Sequence, residues 1–571
     1  MNTMNYKKFF YSCYYDFDKN ISYLTDFTSG EISEHDNITF IFQFPNFKTK
    51  ISVVFINRLD IIYSILKDIY GYEVEVTKSL TGDIQSAQKL EIKLHVDKRT
   101  VIFRNFDRLI SKPEYEPLAE LYKVERKDVA MMLYLKDFGE APNKISYTLA
   151  GQSKKVFYRD IKDQLSDEIY NEHRRISSIN DWKLLYAGSK RGHMTEVEEM
   201  FFEDDVVSFD INSAYAYIIL TGKFPKGRFL KTTYLKNQQE VINSGKWFKV
   251  VFDKRTYEQI RVDFYEKNLD LYIKNPEDKL FQELKHMLDK KLKIASFEIS
   301  DAKYYDLIGL DWKYIINTYS CCMIYSEDEG FLPKSIRDKT YDLYIKKSQF
   351  TEDCFERQQV KNQLQYIYGK AIQWKDWKSD KEVYAWYSRG ENYLTPAHAN
   401  HISAEIRYLL ELHQVNLQET ALYTDTDSLK FNASDKIIEY FNEVNTEIKR
   451  KNDEIGYPCD CGCWKNEGRF DKIAIFSKKC YATYTVDILN IKCSGMVDFI
   501  KTNIETDFYE SNCTFEDYFS DGMPFFSMKY NVNNLKKNES LIVYSAKPTF
   551  IRNSNTFERT IKSCFGGESY V

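Results

Sequence analysis

The feature that most constrains this chain is the stretch "ALYTDTDSLKF" at 421–431. Two aspartates, Asp425 and Asp427, stand one residue apart between apolar flanks, with Thr426 and Ser428 beside them. Apolar runs on both sides of a short polar centre predict a hairpin with its turn near Asp425–Thr426. At i and i+2 of an extended strand the two carboxylates are expected to point the same way. One reading is an exposed turn rich in side-chain-to-backbone hydrogen bonds. The other is a hairpin buried by its apolar flanks, whose acidic pair then needs a cation; all-oxygen ligands suit Mg²⁺ or Mn²⁺.

Asp210 supplies a third carboxylate. It closes the apolar run of "VVSFDINSAYAYIIL", and Ser213 and Tyr215 follow at a turn into a predicted helix. One carboxylate at a strand end, facing a hairpin with two more, can hold two divalent ions about 3.5–4 Å apart. Such a pair serves in-line displacement at phosphorus, activating the attacking oxygen and neutralising charge on the leaving pyrophosphate. A helical stretch, "CFERQQVKNQLQYIYGK" at 354–370, puts Arg357, Lys361, Gln365 and Tyr368 on one face by their spacing of four, four and three. Two cations followed by an aromatic suit a triphosphate and a base stacked above it. The basic solvent face of an ordinary amphipathic helix has the same spacing.

Three ordered motifs carry a resemblance. "DINSAY" resembles motif A (D-x-x-S-L-Y) of family B DNA polymerases, "KNQLQYIYG" motif B (K-x-x-x-N-S-x-Y-G) and "YTDTDS" motif C (Y-x-D-T-D-S). More narrowly, the chain resembles the protein-primed branch of small linear-genome phages and linear plasmids. "LYAGS" at 185–189 is similar to that branch's Y-x-G-G/A linker motif, "KKCY" supplies its K-x-Y, and "IKCSGMVD" matches a segment that follows. The resemblance implies a DNA-directed DNA polymerase that replicates a viral or plasmid genome, with two Mg²⁺ or Mn²⁺ ions and deoxynucleoside triphosphates as substrates. It further implies a primer-template DNA partner, a terminal protein as primer, and a monomer.

The implied roles follow residue by residue. Asp210 and Asp427 would ligate both ions, with Asp425 assisting. Tyr215 would lie under the deoxyribose and exclude a 2′-hydroxyl. Lys361 and Arg357, with Lys346 of "YIKK", would hold the triphosphate, and Tyr368 would stack on the base pair with Gln365 beside it. Tyr186, Gly188, Ser428, Lys479 and Tyr481 would meet primer or template. Ala214 and Ala216 depart from motif A at packing positions, and Gln365–Tyr366 replace the usual Asn–Ser of motif B, which bears on nucleotide selection.

The implied fold class is a mixed α/β and α+β multidomain chain, a right-hand palm, fingers and thumb preceded by an RNase H-like exonuclease-type domain. The expected segments are 1–172 for the exonuclease-like domain and 173–226 for the linker and first part of the palm. Then come 227–335 for an insertion that docks a terminal protein, 336–370 for the fingers, and 371–394 for a short second insertion, a hairpin helping to encircle DNA. The second part of the palm follows at 395–530 and the thumb at 531–571. At 571 residues the chain is long enough for several such units.

In the first segment the exonuclease carboxylates are expected to be degenerate. Family exonucleases use a D-x-E on the first strand and two later aspartates, but here the strand reads "FYSCYYDFD" and the family register places Tyr14 at the first position. A slip of two, nearly 7 Å along a strand, is needed to use Asp16 and Asp18. The second motif is at best Asn57 to Asp60, one residue short. The third is at best Tyr158 with Asp163, one residue long, and Asn105–Phe106 replaces the strand-binding S/T-L pair.

Net charge is −5, so a nucleic-acid partner requires a local basic groove rather than a basic chain. The 44 tyrosines suit base stacking and ordinary β-rich cores alike. The start "MNTMNYKKFFYSCYYDF" lacks the apolar run of a signal peptide and no stretch is long enough to span a bilayer, which predicts the cytoplasm of a host cell. Eleven cysteines do not form a disulfide scaffold. Cys459, Cys461 and Cys463 alternate as on one face of a strand, and free thiols are expected there over a metal site. Two other functions stay open: a palm polymerase repurposed for template-independent or defence-related synthesis, and a non-catalytic DNA- or partner-binding module.

Overall fold

The computed structural model describes residues 8–37, 51–69, 73–77, 89–94, 99–110, 115–165, 176–186, 193–232, 248–252, 295–298, 321–371, 377–493, 498–530 and 544–550, with Lys303 and Leu307, apart from single residues or pairs inside those spans. Most of 227–335, and of 531–571, lies outside them, and so do the docking insertion and thumb expected there. The chain is a mixed helix–sheet, multidomain protein. Its contacts separate two compact units: 1–157 with 346–366 and 527–547, and 158–345 with 367–526 and 548–571.

In the first unit seven strands form one sheet: β1 (Lys8–Asp16), β2 (Ile21–Asp26), β3 (Ile32–Asp36), β4 (Ile51–Ile56), β5 (Val74–Thr77), β6 (Lys89–Leu94) and β7 (Arg99–Asn105). Their order is β3-β2-β1-β4-β7-β6-β5, parallel at β1–β4 and β4–β7 and antiparallel elsewhere. The central strand "ISVVFI" runs apolar from Val53 to Ile56 because both of its faces are covered there. Val54 and Ile56 pack with Leu59, Ile62 and Leu66, while Val53 and Phe55 pack with Met131, Tyr134 and Leu135 of α1 (Lys127–Asp137).

A buried charge fixes α1 on the sheet. Asp128, with no exposed surface, accepts from Thr25 Oγ1 at 2.6 Å and pairs with Arg126 Nη2 at 2.9 Å. Its own carbonyl accepts from Ser12 Oγ at 2.8 Å.

The second unit holds another seven-stranded sheet, built from β8 (His193–Met194), β9 (Phe201–Ile211), β14 (Tyr423–Thr426), β15 (Ser428–Asn432), β16 (Trp464–Ser477), β17 (Cys480–Thr485) and β18 (Ile488–Cys493). The order is β18-β17-β16-β9-β15-β14-β8, antiparallel at every pairing described. Between β9 and β14 in sequence come β10 (Lys223–Thr232), β11 (Phe248–Phe252), β12 (Ala295–Glu298) and β13 (Cys321–Phe331), a four-stranded sheet of their own. Strands β19 (Phe525–Tyr530) and β20 (Tyr544–Phe550) pair with each other.

Seven further helices matter here: α2 (Ile179–Tyr186), α3 (Ala214–Thr221), α4 (Lys334–Ser348), α5 (Phe355–Gly369), α6 (Asp380–Arg389), α7 (Pro396–Leu417) and α8 (Asp435–Glu454). Helix α7 starts where Thr395 and His398 cap each other reciprocally with Pro396 in the first turn, a strong start signal. Helix α8 starts at the Ser434 cap and buries Ile437, Phe441 and Ile448. The Phe441 ring lies 4.3 Å from that of Phe209 and 4.9 Å from that of Trp464, so α8 covers one face of the sheet. The period-two alternation of strands then turns Ser208, Asp210, Ser428 and Lys430 to the other face.

Two expectations depart from what is observed. The segment 371–394 carries helix α6 where a hairpin was expected. Val383 and Tyr387, at i and i+4, pack against Trp182 and Leu185 of α2, a helical rather than a strand period. Cys459, Cys461 and Cys463 lie in a turn ahead of β16 rather than along a strand, and form no disulfide. Among the described residues one disulfide is present, Cys480–Cys493, between residues directly opposed on β17 and β18. Among the described residues no helix is long and apolar enough to cross a membrane.

Replacing Asp128 with alanine strips the partner from a half-buried arginine and a buried threonine hydroxyl. The expected loss is about 3 kcal/mol, read by chemical denaturation of the full chain.

Candidate active site

The site is built on the register of three strands. Asp210 on β9 stands directly opposite Ser428 on β15, and Ser428 is opposite Asp425 on β14. The hairpin turn is one residue later than the sequence spacing suggests. Thr426 takes φ +64° and the Asp427 N–H donates to the Asp425 carbonyl at 2.7 Å, a three-residue turn with positive φ at a β-branched residue. Asp427 is therefore a turn residue, and the turn rather than strand alternation sets its side chain relative to Asp425. Its carbonyl accepts from Ile211 N at 2.9 Å, tying the turn to the strand end that bears Asp210.

The surroundings hold that corner in place. Ser428 Oγ donates to the Asp425 carbonyl at 3.3 Å, so its hydroxyl braces the turn. Lys479 Nζ pairs with Asp425 Oδ1 at 2.8 Å and lies 3.4 Å from Thr426 Oγ1. The Lys479 N–H donates to Tyr423 Oη at 2.7 Å, and burial raises the Tyr423 phenol to about 12. On the other side of Asp210, Asn212 Nδ2 donates to Tyr344 Oη at 2.6 Å, and the Tyr344 hydroxyl donates to Asp460 Oδ1. Ser213, at φ +56°, closes the strand and opens α3.

Tyr215 and Tyr368 stack, with ring centroids 4.0 Å apart and planes at 23°. Burial, then the Tyr368 phenol, then Asp427 and Asp425 raise the Tyr215 phenol well above its ordinary range, so it stays protonated. Gly462 packs beneath this helix. At φ +88°, a Cβ there would lie 2.2 Å from the ring of Tyr217.

The remaining expected residues are distributed as follows. Arg357, Lys361 and Gln365 lie on α5 within the first unit, and Tyr368 lies on its last turn, within the second. Lys361, Gln365 and Lys346 are exposed. Arg357 instead closes the end of α4, donating to the carbonyls of Lys347 and Phe350 at 3.2 Å each. Tyr186 ends α2, but its side chain and Gly188 lie outside the described residues. The Tyr481 ring lies 5.8 Å from that of Tyr423.

The first-unit carboxylates are not drawn into one place by anything described. Asp16 pairs with Lys19 at 3.2 Å; burial opposes its charge, but hydrogen bonds from Lys19 hold its carboxyl below the ordinary value. Asp18 is exposed, Asp60 sits in the first turn of a helix with its side chain outside the described residues, and Asp163 is exposed on a short 3-10 helix of the second unit. Asn57, in the stretch expected to carry the second motif, is committed to β1, exchanging hydrogen bonds of 2.6 and 3.0 Å with the Tyr15 backbone.

The donors at the second-unit corner fit hard divalent ions in kind, being two carboxylates on strands of one sheet and a third on the turn beside them. They do not close into a ligand set as they stand: among the described residues no three His, Cys, Asp or Glu side chains reach metal-binding proximity, and Asp425 is turned to Lys479. Sequence reasoning missed Asn212, Tyr344, Asp460 and Lys430. The first three meet only through the fold, whereas Lys430 left a signal, a charge at a buried strand position beside the acidic pair.

The fold is that of a DNA polymerase. The solved structures that share it include phi29 DNA polymerase with primer-template DNA and incoming nucleotide, at TM-score 0.59 and 12% identity over 95% of this chain and 100% of that one. A binary primer-template complex of the same polymerase gives 0.57 at 14% identity with the same coverage. Its complex with single-stranded DNA gives 0.54 at 13% identity over 92% of this chain and 97% of that one. No family model matches the sequence, and no curated protein does.

Gly462→Ala forces a Cβ into the Tyr217 ring at a left-handed backbone position. The expected cost is about 2–4 kcal/mol, measured by denaturant unfolding.

Proposed function

We propose that this chain is a family B DNA-directed DNA polymerase of the protein-primed type, replicating a viral or plasmid genome. The observation that carries the reading is the strand register that sets Asp210 beside the Asp425–Asp427 turn, with the Tyr215–Tyr368 stack next to it. The likeness to phi29 DNA polymerase along nearly the whole chain supports it at the level of fold.

In this reading Asp210 and Asp427 hold two Mg²⁺ or Mn²⁺ ions, with Asp425 assisting. The ions supply the activation of the primer hydroxyl and the neutralisation of the leaving pyrophosphate. Tyr215 and Tyr368 form the floor against which sugar and base pair are seated, and Lys361 with Lys346 meets the triphosphate. Lys479 and Tyr481 hold the primer end, next to the carboxylates they already contact or neighbour. The segments 173–226 and 395–530 form the palm, 336–370 the fingers, 227–335 and 371–394 the insertions, and 531–571 the thumb. A terminal protein docks on the first insertion.

Primer extension with Mg²⁺ and deoxynucleotides, with and without template, tests the reading. The wild-type chain is expected to extend only with template. Asp210→Asn and Asp427→Asn should lower incorporation by at least ~10³-fold while melting like wild type, because each removes a ligand charge. Near-normal extension by either variant overturns it.

The first unit is proposed to keep exonuclease architecture with little or no proofreading. The engagement of Asp16 by Lys19 and the exposure of Asp18 and Asp163 support this. A 3′-mismatched primer incubated with Mg²⁺ or Mn²⁺ and no nucleotides should remain intact. Degradation abolished by Asp16→Ala but retained in Asp427→Asn would refute the proposal.

A further inference from the structure

Lys430 is the least expected residue of the second sheet. It is 2% exposed, lies three residues beyond Asp427, and faces the same side of the sheet as Asp210. A lysine is almost never fully buried without a partner, because an ammonium loses its hydration there. Its Nζ donates to Ser208 Oγ at 2.8 Å and lies 4.9 Å from the centroid of the Tyr481 ring. Neither contact supplies a full counter-charge. The negative charges acting on it are Glu467, Asp210 and Asp425, set against burial and Lys492, with burial the largest influence and its pKa lowered.

The register shows what the position links. Lys430 stands opposite Ser208 on β9, the residue two before Asp210, and opposite Tyr423 on β14, the residue two before Asp425. The Tyr423 hydroxyl holds the Lys479 backbone, and the Tyr423 and Tyr481 rings are neighbours. One ammonium therefore lies beneath two strands that carry carboxylates and against the aromatic ring of a third strand. A leucine or methionine would fill the same volume without desolvating a charge.

We infer that Lys430 is a positioning residue of the site, a fixed buried cation that offsets the repulsion between Asp210 and Asp425 and seats the Tyr481 ring beside them. It never touches substrate. It limits how tightly the carboxylates hold divalent ions, and it keeps the primer-facing strand β17 in register with the carboxylate corner. Unlike Lys479, which is 41% exposed and free to change partners, Lys430 has no route to solvent. The inference deepens the polymerase reading and rests on it.

The test uses the full chain without nucleotides, reading Mn²⁺ binding by titration and binding of a recessed-3′ hairpin DNA in EDTA. Lys430→Met removes the charge at nearly constant length. It is expected to tighten Mn²⁺ binding by roughly three- to tenfold, since one positive charge leaves the vicinity of the ions. The DNA should bind about threefold more weakly or worse, since the Tyr481 ring loses its cation. Lys430→Arg should restore the wild-type Mn²⁺ affinity. A lysine serving stability alone would lower the melting temperature and leave both affinities in place, and that result overturns the inference. If Lys430→Met gives no cooperative melt, Ser208→Ala, which strips only the anchor of the ammonium, is read in the same two assays; unchanged values there also overturn it. Mn²⁺ binding by wild type that survives undiminished in Asp427→Asn would instead count against the polymerase reading itself.

Discussion

Three carboxylates gathered on adjacent strands repel one another, and much of the second unit answers to that repulsion. The answer begins on the far face of the sheet. The aromatic layer of Phe209, Trp464 and Phe441 buries one face under α8, and alternation leaves Asp210 and Asp425 no choice but the other. Two lysines stand by this charge, the half-exposed Lys479 paired with Asp425 and the buried Lys430 anchored on Ser208. The first is 41% exposed and the second 2%.

Much of this corner was legible in the sequence because its parts are local. A strand ending in Asp210, a hairpin around Asp425–Asp427 and a helix over 354–370 each follow from period and turn chemistry, and each is observed. The errors come where non-local packing decides. Spacing of two implied that Asp425 and Asp427 share a strand face, but the turn falls on Thr426, so the geometry is that of a tight turn. The segment 371–394 was expected to be a hairpin only because the resemblance implies one. Val383 and Tyr387 found a helical partner in α2, and the helical period won. Arg357, placed by its helix face toward a phosphate, also donates to the carbonyls of Lys347 and Phe350 at and just beyond the end of α4, contacts that the spacing of its own helix does not reveal.

The same contrast separates the two units. In the first, "ISVVFI" is a buried central strand on pattern alone, and the helix bearing Met131 and Leu135 covers it as the apolar spacing requires. Its acidic residues carried far less information. A carboxylate at a strand end reads the same whether it binds an ion or, like Asp16, takes a neighbouring lysine. Asp128, which sequence reasoning passed over, is the acid on which that unit depends. Its partners Thr25 and Arg126 can be recognised only once β2 and α1 are packed together.

Backbone conformation closes the argument. Ser213, Thr426 and Lys479 all sit at positive φ without being glycine, one at each of the three chain reversals that meet at the carboxylate corner. Each costs of order 1–3 kcal/mol and persists only where the surroundings over-determine it. Here they do. Ser213 is held between β9 and α3, Thr426 by the Asp427–Asp425 bond, and Lys479 by Tyr423. A hairpin relaxed to a glycine-rich turn would be more stable, but it would leave Asp427 free to turn away from Asp210. At these three of its positive-φ residues the sheet accepts strain beside a charge, where the placement of that charge is set by the turn itself.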